Sequence, residues 1–122
     1  MRRLFFALLL VLIGIPSATA VAVPAQARCF NDVPGITCKS PGGAFYAWPN
    51  VTQACKRVGV ADSEAFRKRL LHEAGIAVLA DIHFGRRVPG DGQHIRFSYA
   101  ASNAAIENGI ARLDDFVRRN TV

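Results

Sequence analysis

Apolar residues recur at Ile106, Ile110, Leu113 and Val117, the spacing that lines one face of an α-helix. Ser102 is placed to cap that helix, and Arg118-Arg119 suit its negative C-terminal end, so it is the best-marked element of the chain. Just upstream the rhythm changes from helical to alternating. Ile95, Phe97 and Tyr99 interleave with His94, Arg96 and Ser98, as in a strand with one face in the core. Ile76-Ala77-Val78-Leu79 is continuously apolar and reads as a short strand of the buried kind. Ala44 to Trp48 is aromatic-rich and stops at Pro49, which predicts another strand. Two helices fall between these strands. One runs from Val51 to Val58, with Asn50 as its cap and Gly59 as its stop. The other starts at Asp62 or Ser63, gathers Phe66, Leu70, Leu71 and Ala74 on one face, and ends at Gly75. Segments 29–43 and 80–93, punctuated by Gly and Pro, read as loops. The order β-α-α-β-β-α predicts an α+β fold: a small mixed sheet of about three strands covered by helices, with a long C-terminal helix.

The first 28 positions follow a different logic. Met1-Arg2-Arg3 is a basic start, Leu4 to Ile15 is an apolar run, Pro16 breaks it, and Ala18-Thr19-Ala20 offers small residues to a signal peptidase. Ala25-Gln26-Ala27 is a second possible cut. Residues 1–28 are therefore expected to be a signal-peptide-like leader, and 29–122 the folded domain. A chance apolar stretch upstream of a truncated or frameshifted gene is the competing explanation. The interruptions at Gly14, Pro16, Ser17 and Thr19 exclude an unbroken membrane span.

Charge narrows the picture once it is located. The chain carries 15 Lys/Arg against 9 Asp/Glu, a net +6. Arg2, Arg3 and Arg28 lie in the acid-free leader, so the domain holds 12 basic residues against 9 acids, a net +3. Its basic residues stand beside acids rather than in a stripe interleaved with stacking aromatics, which argues against nucleic-acid binding. No phosphate-binding glycine loop, GxSxG, HExxH or CxxC occurs. His72, His83 and His94 have no metal-ligand spacing with Cys29, Cys38 or Cys55, so no metal is expected. The cysteines read as ordinary semi-buried thiols, Asp114-Asp115 as a solvated helix face, and Asn50-Val51-Thr52 as a glycosylation sequon that chance also produces. Arg96 stands apart, because a guanidinium fixed inside a strand offers a rigid fork to a carboxylate. A structural pairing with an acid is its other explanation.

Several motifs, in one order, then carry a resemblance. Val33-Pro34-Gly35-Ile36-Thr37-Cys38 is followed by Pro41-Gly42-Gly43-Ala44-Phe45-Tyr46-Ala47-Trp48-Pro49-Asn50. Leu70-Leu71-His72-Glu73-Ala74-Gly75-Ile76-Ala77-Val78 leads to Phe84-Gly85 and to Gly92-Gln93-His94-Ile95-Arg96-Phe97-Ser98-Tyr99-Ala100. Together with a closing helix bearing Ile106, Gly109, Ile110 and Leu113, these resemble the C-terminal small domain of class I pyridoxal-phosphate-dependent aminotransferases, nearest to aspartate aminotransferase-like members. The resemblance implies that Arg96 binds the carboxylate of an amino-acid or 2-oxo-acid substrate. It also implies pyridoxal phosphate as cofactor of full-length members and a large domain as partner. The Schiff-base lysine and phosphate cup of the family have no matching motif here, and the lysines present are Lys39, Lys56 and Lys68. The expectation is a fragment that neither holds the cofactor nor transaminates alone. An exported small basic binding module that reuses the domain is the alternative. The two halves imply different compartments, secreted or periplasmic for the leader and cytoplasmic for the family. The chain departs from the family pattern at Ala80-Asp81, where Pro-Gly is usual, and this bears on the loop that follows.

Overall fold

The computed structural model describes residues 29–122, and the leader expected at 1–28 lies outside the described residues. Strands β1 (Tyr46–Ala47), β2 (Leu79–Ala80) and β3 (Ile95–Ser98) form one sheet in the order β1-β3-β2. Both pairings are antiparallel, so the sheet is not mixed in direction. Helices α1 (Thr52–Arg57), α2 (Ser63–Arg69) and α3 (Asn103–Arg119) complete the α+β architecture. Among the described residues no helix is long and apolar enough to cross a membrane.

The helix ends follow local chemistry. Asp62 caps α2 by accepting from Ala65 N at 2.8 Å, and Ser102 caps α3 by accepting from Ala105 N at 3.2 Å. The Asn50 side chain accepts from Thr52 N at 3.0 Å at the start of α1. Beyond α2 the chain widens into a π-helical turn, Leu70–Ala74, closed by Gly75 at φ +65°. That extra residue per turn shifts the phase of the helix. Phe66 and Leu70 stay buried, whereas Leu71, expected on the same face, is exposed. On α3, Asp114 and Asp115 pair at the surface with Arg118 and Arg119, both at 2.8 Å.

The core lies between the sheet and the helices. Ile95 and Phe97 of β3 face Ile106, Ile110, Leu113 and Val117, as the alternation predicts. Phe97 is core at 8% exposure, with Phe30 edge-on to it at 5.0 Å. Ile76, Val78 and Ala80 point inward while Ala77 and Leu79 point out, so this stretch is half-buried rather than buried on both faces. The reason is topological: β2 is an edge strand with helices on one side only. The segment before β1, expected to be irregular, supplies Phe30, Val33 and Ile36 to the core and bridges Thr37 to Asn50.

Candidate functional site: an arginine on the open face of the sheet

The side of the sheet away from the helices carries the outward residues of each strand, and it is aromatic. Tyr46 and Trp48 come from β1 and the residue just after it, Arg96 from β3 and His94 from the position just before it, and Phe84 from the 3-10 turn Asp81–Phe84 that follows β2. Trp48 stacks on the His94 ring, with centroids 5.6 Å apart and planes 12° from parallel, and meets Phe84 edge-on at 5.4 Å. Trp48 is 41% exposed and Phe84 48%, so the aromatic cluster is open to solvent.

Arg96 is seated in this cluster. Its guanidinium carbon lies 4.3 Å from the Tyr46 ring centroid and 4.5 Å from that of Phe84. The side chain makes no hydrogen bond or ion pair among the described residues, so the structural pairing with an acid is not found. Stacking on rings uses the charge and the flat faces of a guanidinium and spends none of its N–H donors. The arginine is held, yet its hydrogen-bonding capacity is free.

A cleft of about 650 Å³ opens beside Arg96 rather than over it, lined in part by Tyr46, Trp48, His94, Asn50, Lys39 and Asp91. The two features share Tyr46 and the Trp48–His94 stack, and the chemistry belongs to the arginine. Cys38 and His94 both line the cleft, but the Cys38 thiol donates to the Lys39 carbonyl at 3.4 Å and burial pushes its pKa up, so the pair is not set as nucleophile and base.

The loop after β2 is ordered by a buried polar knot. Asp81, where the family pattern has a glycine, is 8% exposed and accepts four hydrogen bonds. They come from Ser63 Oγ (2.6 Å), Ile82 N (2.8 Å), Arg87 Nε (2.9 Å) and His94 N (3.1 Å). Burial by itself would push this carboxyl up, but Arg87, Ser63 and the His94 N–H together hold it at about 2. The knot ties three points of the 81–93 segment to Ser63, the wholly buried first residue of α2. Asp81 takes its hydroxyl proton, Arg87 Nη2 donates to its oxygen at 2.6 Å, and Gln93 Oε1 accepts its backbone N–H at 2.5 Å.

The other residues singled out from sequence do not converge. His72 is exposed, and His83 pairs with Glu64 at 3.0 Å. The Arg67 hydrogen bond, with help from His83, holds that Glu64 carboxyl at about 2. Cys29, Cys38 and Cys55 form no disulfide among the described residues. Burial, then the nearby Asp62, pushes the Cys55 thiol up to about 12, so it is no nucleophile near neutral pH. No group of three or more His, Cys, Asp or Glu among the described residues could hold a metal. In the sequon, Asn50 and Thr52 serve the loop junction, since Thr52 Oγ1 accepts from Gln93 N at 2.8 Å. Sequence reasoning missed Tyr46 and Phe84 as the flanks of Arg96, and Ser63 and Arg87 as partners of Asp81. The one available signal was a charged residue standing where a glycine is usual.

Comparison with known proteins gives this geometry a lineage. The chain is 34% identical over 90 residues to an aspartate aminotransferase of Bacillus subtilis, a match covering 74% of this chain and 22% of that protein. It is 41% identical over 86 residues to an aspartate aminotransferase of Bacillus sp. strain YM-2, covering 70% of this chain and 21% of the relative. The domain is homologous to part of an aminotransferase. The crystal structure of an aspartate aminotransferase from Rhizobium meliloti superposes with a TM-score of 0.67 at 25% identity, over 78% of this chain and 24% of that one. No protein-family model matches the chain. The chain spans about a fifth of the length of the curated aminotransferases it matches.

Proposed function

We propose that residues 29–122 are the small-domain part of an aminotransferase, the part that supplies Arg96 to the carboxylate of an amino-acid or 2-oxo-acid substrate. The observation that carries this reading is the Arg96 guanidinium, flanked by Tyr46 and Phe84, without an acid partner among the described residues, on the open face of the sheet. Such a group binds a planar anion through paired, charge-assisted N–H donors. The aromatic side chains around it form the surface that the remainder of an aminotransferase would cover.

In the family, pyridoxal phosphate supplies the electron sink for amino-group transfer and is anchored through a lysine. The described residues do not make a seat for it. Lys39, Lys56 and Lys68 are all at the surface, and Lys68 Nζ is drawn 3.6 Å from Glu64. None is enclosed beside Arg96. The domain by itself therefore binds carboxylates weakly and carries out no transamination.

The size of that binding follows from one contact. A hydrogen bond to a charged group contributes about 1.5–3 kcal/mol, while a millimolar dissociation constant needs about 4 kcal/mol. Affinity for a 2-oxo acid is thus expected to be weaker than about millimolar. Two measurements test the reading. Titration with pyruvate should move the Arg96 Hε resonance and the Tyr46 and Phe84 ring resonances in nuclear magnetic resonance spectra, and Arg96→Ala should abolish the response of the rings. Incubation with pyridoxal phosphate, borohydride trapping and peptide mapping should give scattered, sub-stoichiometric label on the lysines and no turnover. Label confined to one lysine, with turnover that Arg96→Ala removes, would overturn the proposed inactivity. A pyruvate response indifferent to Arg96→Ala would overturn the proposed site.

A further inference from the structure

The aromatic flanks of Arg96 have unequal support. Tyr46 lies in β1, locked by ladder pairing to Ser98 of β3. Phe84 lies at the end of a short turn in the long connection between β2 and β3, and nothing in strand pairing fixes it. Its place depends on how the chain leaves β2. The β2–β3 ladder runs through Leu79↔Arg96 and Ala80↔Ile95 and continues for one more bond, Asp81 N to His94 O at 3.0 Å. The reciprocal donor, His94 N, then finds the Asp81 carboxylate at 3.1 Å in place of a backbone carbonyl. The side chain closes the ladder and frees the backbone to turn. The same carboxylate accepts the Ile82 N–H at 2.8 Å, which starts the turn, and the Arg87 Nε at 2.9 Å, which ends it. Asp81 and Arg87 thus pinch off a short loop with Phe84 at its middle, and Ser63 fastens the pinch to α2.

We infer that the Asp81–Arg87–Ser63 knot is a positioning device for Arg96: it holds Phe84 against the guanidinium and so presets the arginine for a planar anion. Gly85, which follows Phe84, has φ +126° and open space around it, so apart from the knot the loop tip is tied by the His83–Glu64 pair at the surface and by the edge-on contact of Phe84 with Trp48. Loss of the knot releases Phe84 into solvent and leaves Arg96 stacked on Tyr46 alone, free to sample other rotamers. Asp81, Arg87 and Ser63 touch no ligand in this scheme and act through Phe84. The consequence for carboxylate binding rests on the proposed role of Arg96; the effect on Arg96 geometry does not.

Ring currents make this measurable in the full 122-residue chain. In the wild-type protein the Arg96 Hδ and Hε resonances should be displaced upfield by Phe84 and Tyr46. Asp81→Asn and Arg87→Gln should each move them toward free-arginine positions, while the core resonances of Ile95 and Phe97 stay in place. Phe84→Leu should give a similar displacement with the knot intact, and adding Arg87→Gln to Phe84→Leu should then change little more, as coupling through one residue requires. Pyruvate binding should weaken several-fold in Arg87→Gln. Because Arg87 is at the rim and Asp81 is enclosed, Arg87→Gln decides the matter if Asp81→Asn fails to fold. Unchanged Arg96 resonances in folded Arg87→Gln would overturn the inference, as would an undiminished Arg87→Gln effect on those resonances in the Phe84→Leu background. If wild-type protein shows the ring shifts and the variant responses but no pyruvate response, the carboxylate role fails and the positioning role stands.

Discussion

Asp81 shows how a single buried charge is kept in a small domain. An unpaired carboxylate at 8% exposure would be costly, and four donors around it reverse that cost. The sign of its pH dependence follows. Its folded value, about 2, lies below the ordinary 3.8, so its stabilisation is fully present above the unfolded value and is lost as pH falls from about 4 toward 2. The shift is equivalent to about 2 kcal/mol. Urea unfolding at pH 5 and pH 2.5 should show a loss of that order that is smaller in Asp81→Asn, which begins less stable. An equal acid loss in both proteins would place the titrating group elsewhere. Gly35 makes a second case at this scale. At φ +79°, a Cβ there would lie 2.7 Å from Ala54 N, a backbone atom that cannot step aside. Gly35→Ala should cost roughly 2–4 kcal/mol. Gly90→Ala, at φ +84° in open space, should cost only about 1–2 kcal/mol. The Pro34-Gly35 pair marked a turn in the sequence, but its contact with α1 is a tertiary fact.

At the scale of elements, α3 was the most legible and still held a surprise. Its stripe of Ile106, Ile110, Leu113 and Val117 is buried as the spacing demands. Phe116, outside that stripe, is also fully buried, edge-on to Phe66 of α2 at 5.8 Å and with the Arg69 guanidinium 5.4 Å from its centroid. A helix packed against both a sheet and a neighbouring helix needs a wider apolar face than one facing a sheet alone. Phe116→Ala should therefore destabilise by about 3–5 kcal/mol, measured by thermal or urea unfolding. Asp114→Ala removes only a surface pair with Arg118 and should change stability by less than about 0.5 kcal/mol. Near-equal effects would mean that α3 is held by its surface charges rather than by its buried face. The π-helical turn after α2 was not legible at all. A regular period put Leu71 with Phe66 and Leu70, and the widened turn turned it outward.

For the whole molecule, the open aromatic face is the dominant feature. Tyr46, Trp48 and Phe84 are substantially exposed in the Arg96 cluster, and Phe45, Ile82 and Val88 are further exposed apolar side chains. Exposed large apolar side chains in this number promote association. Sedimentation velocity should show a concentration-dependent rise in mean size, and Phe45→Ser, a change at a site 66% exposed, should reduce it without altering the fold. A monomer at all concentrations would count against this. What the sequence by itself determined was local and periodic: the cap at Ser102, a helix start at Asp62 or Ser63, the alternation through β3, the stripe of α3, and the motif order that marks the aminotransferase lineage. It also singled out Arg96, because an arginine in a strand between two core residues must leave the sheet on the opposite face. What surrounds that arginine was decided only by tertiary structure. Tyr46 and Phe84 come to Arg96 from separate segments of the chain, and the Asp81–Arg87 ion pair is joined by Ser63, a residue on another element. Such contacts depend on strand register and on loop closure, and neither leaves a periodic trace in the sequence.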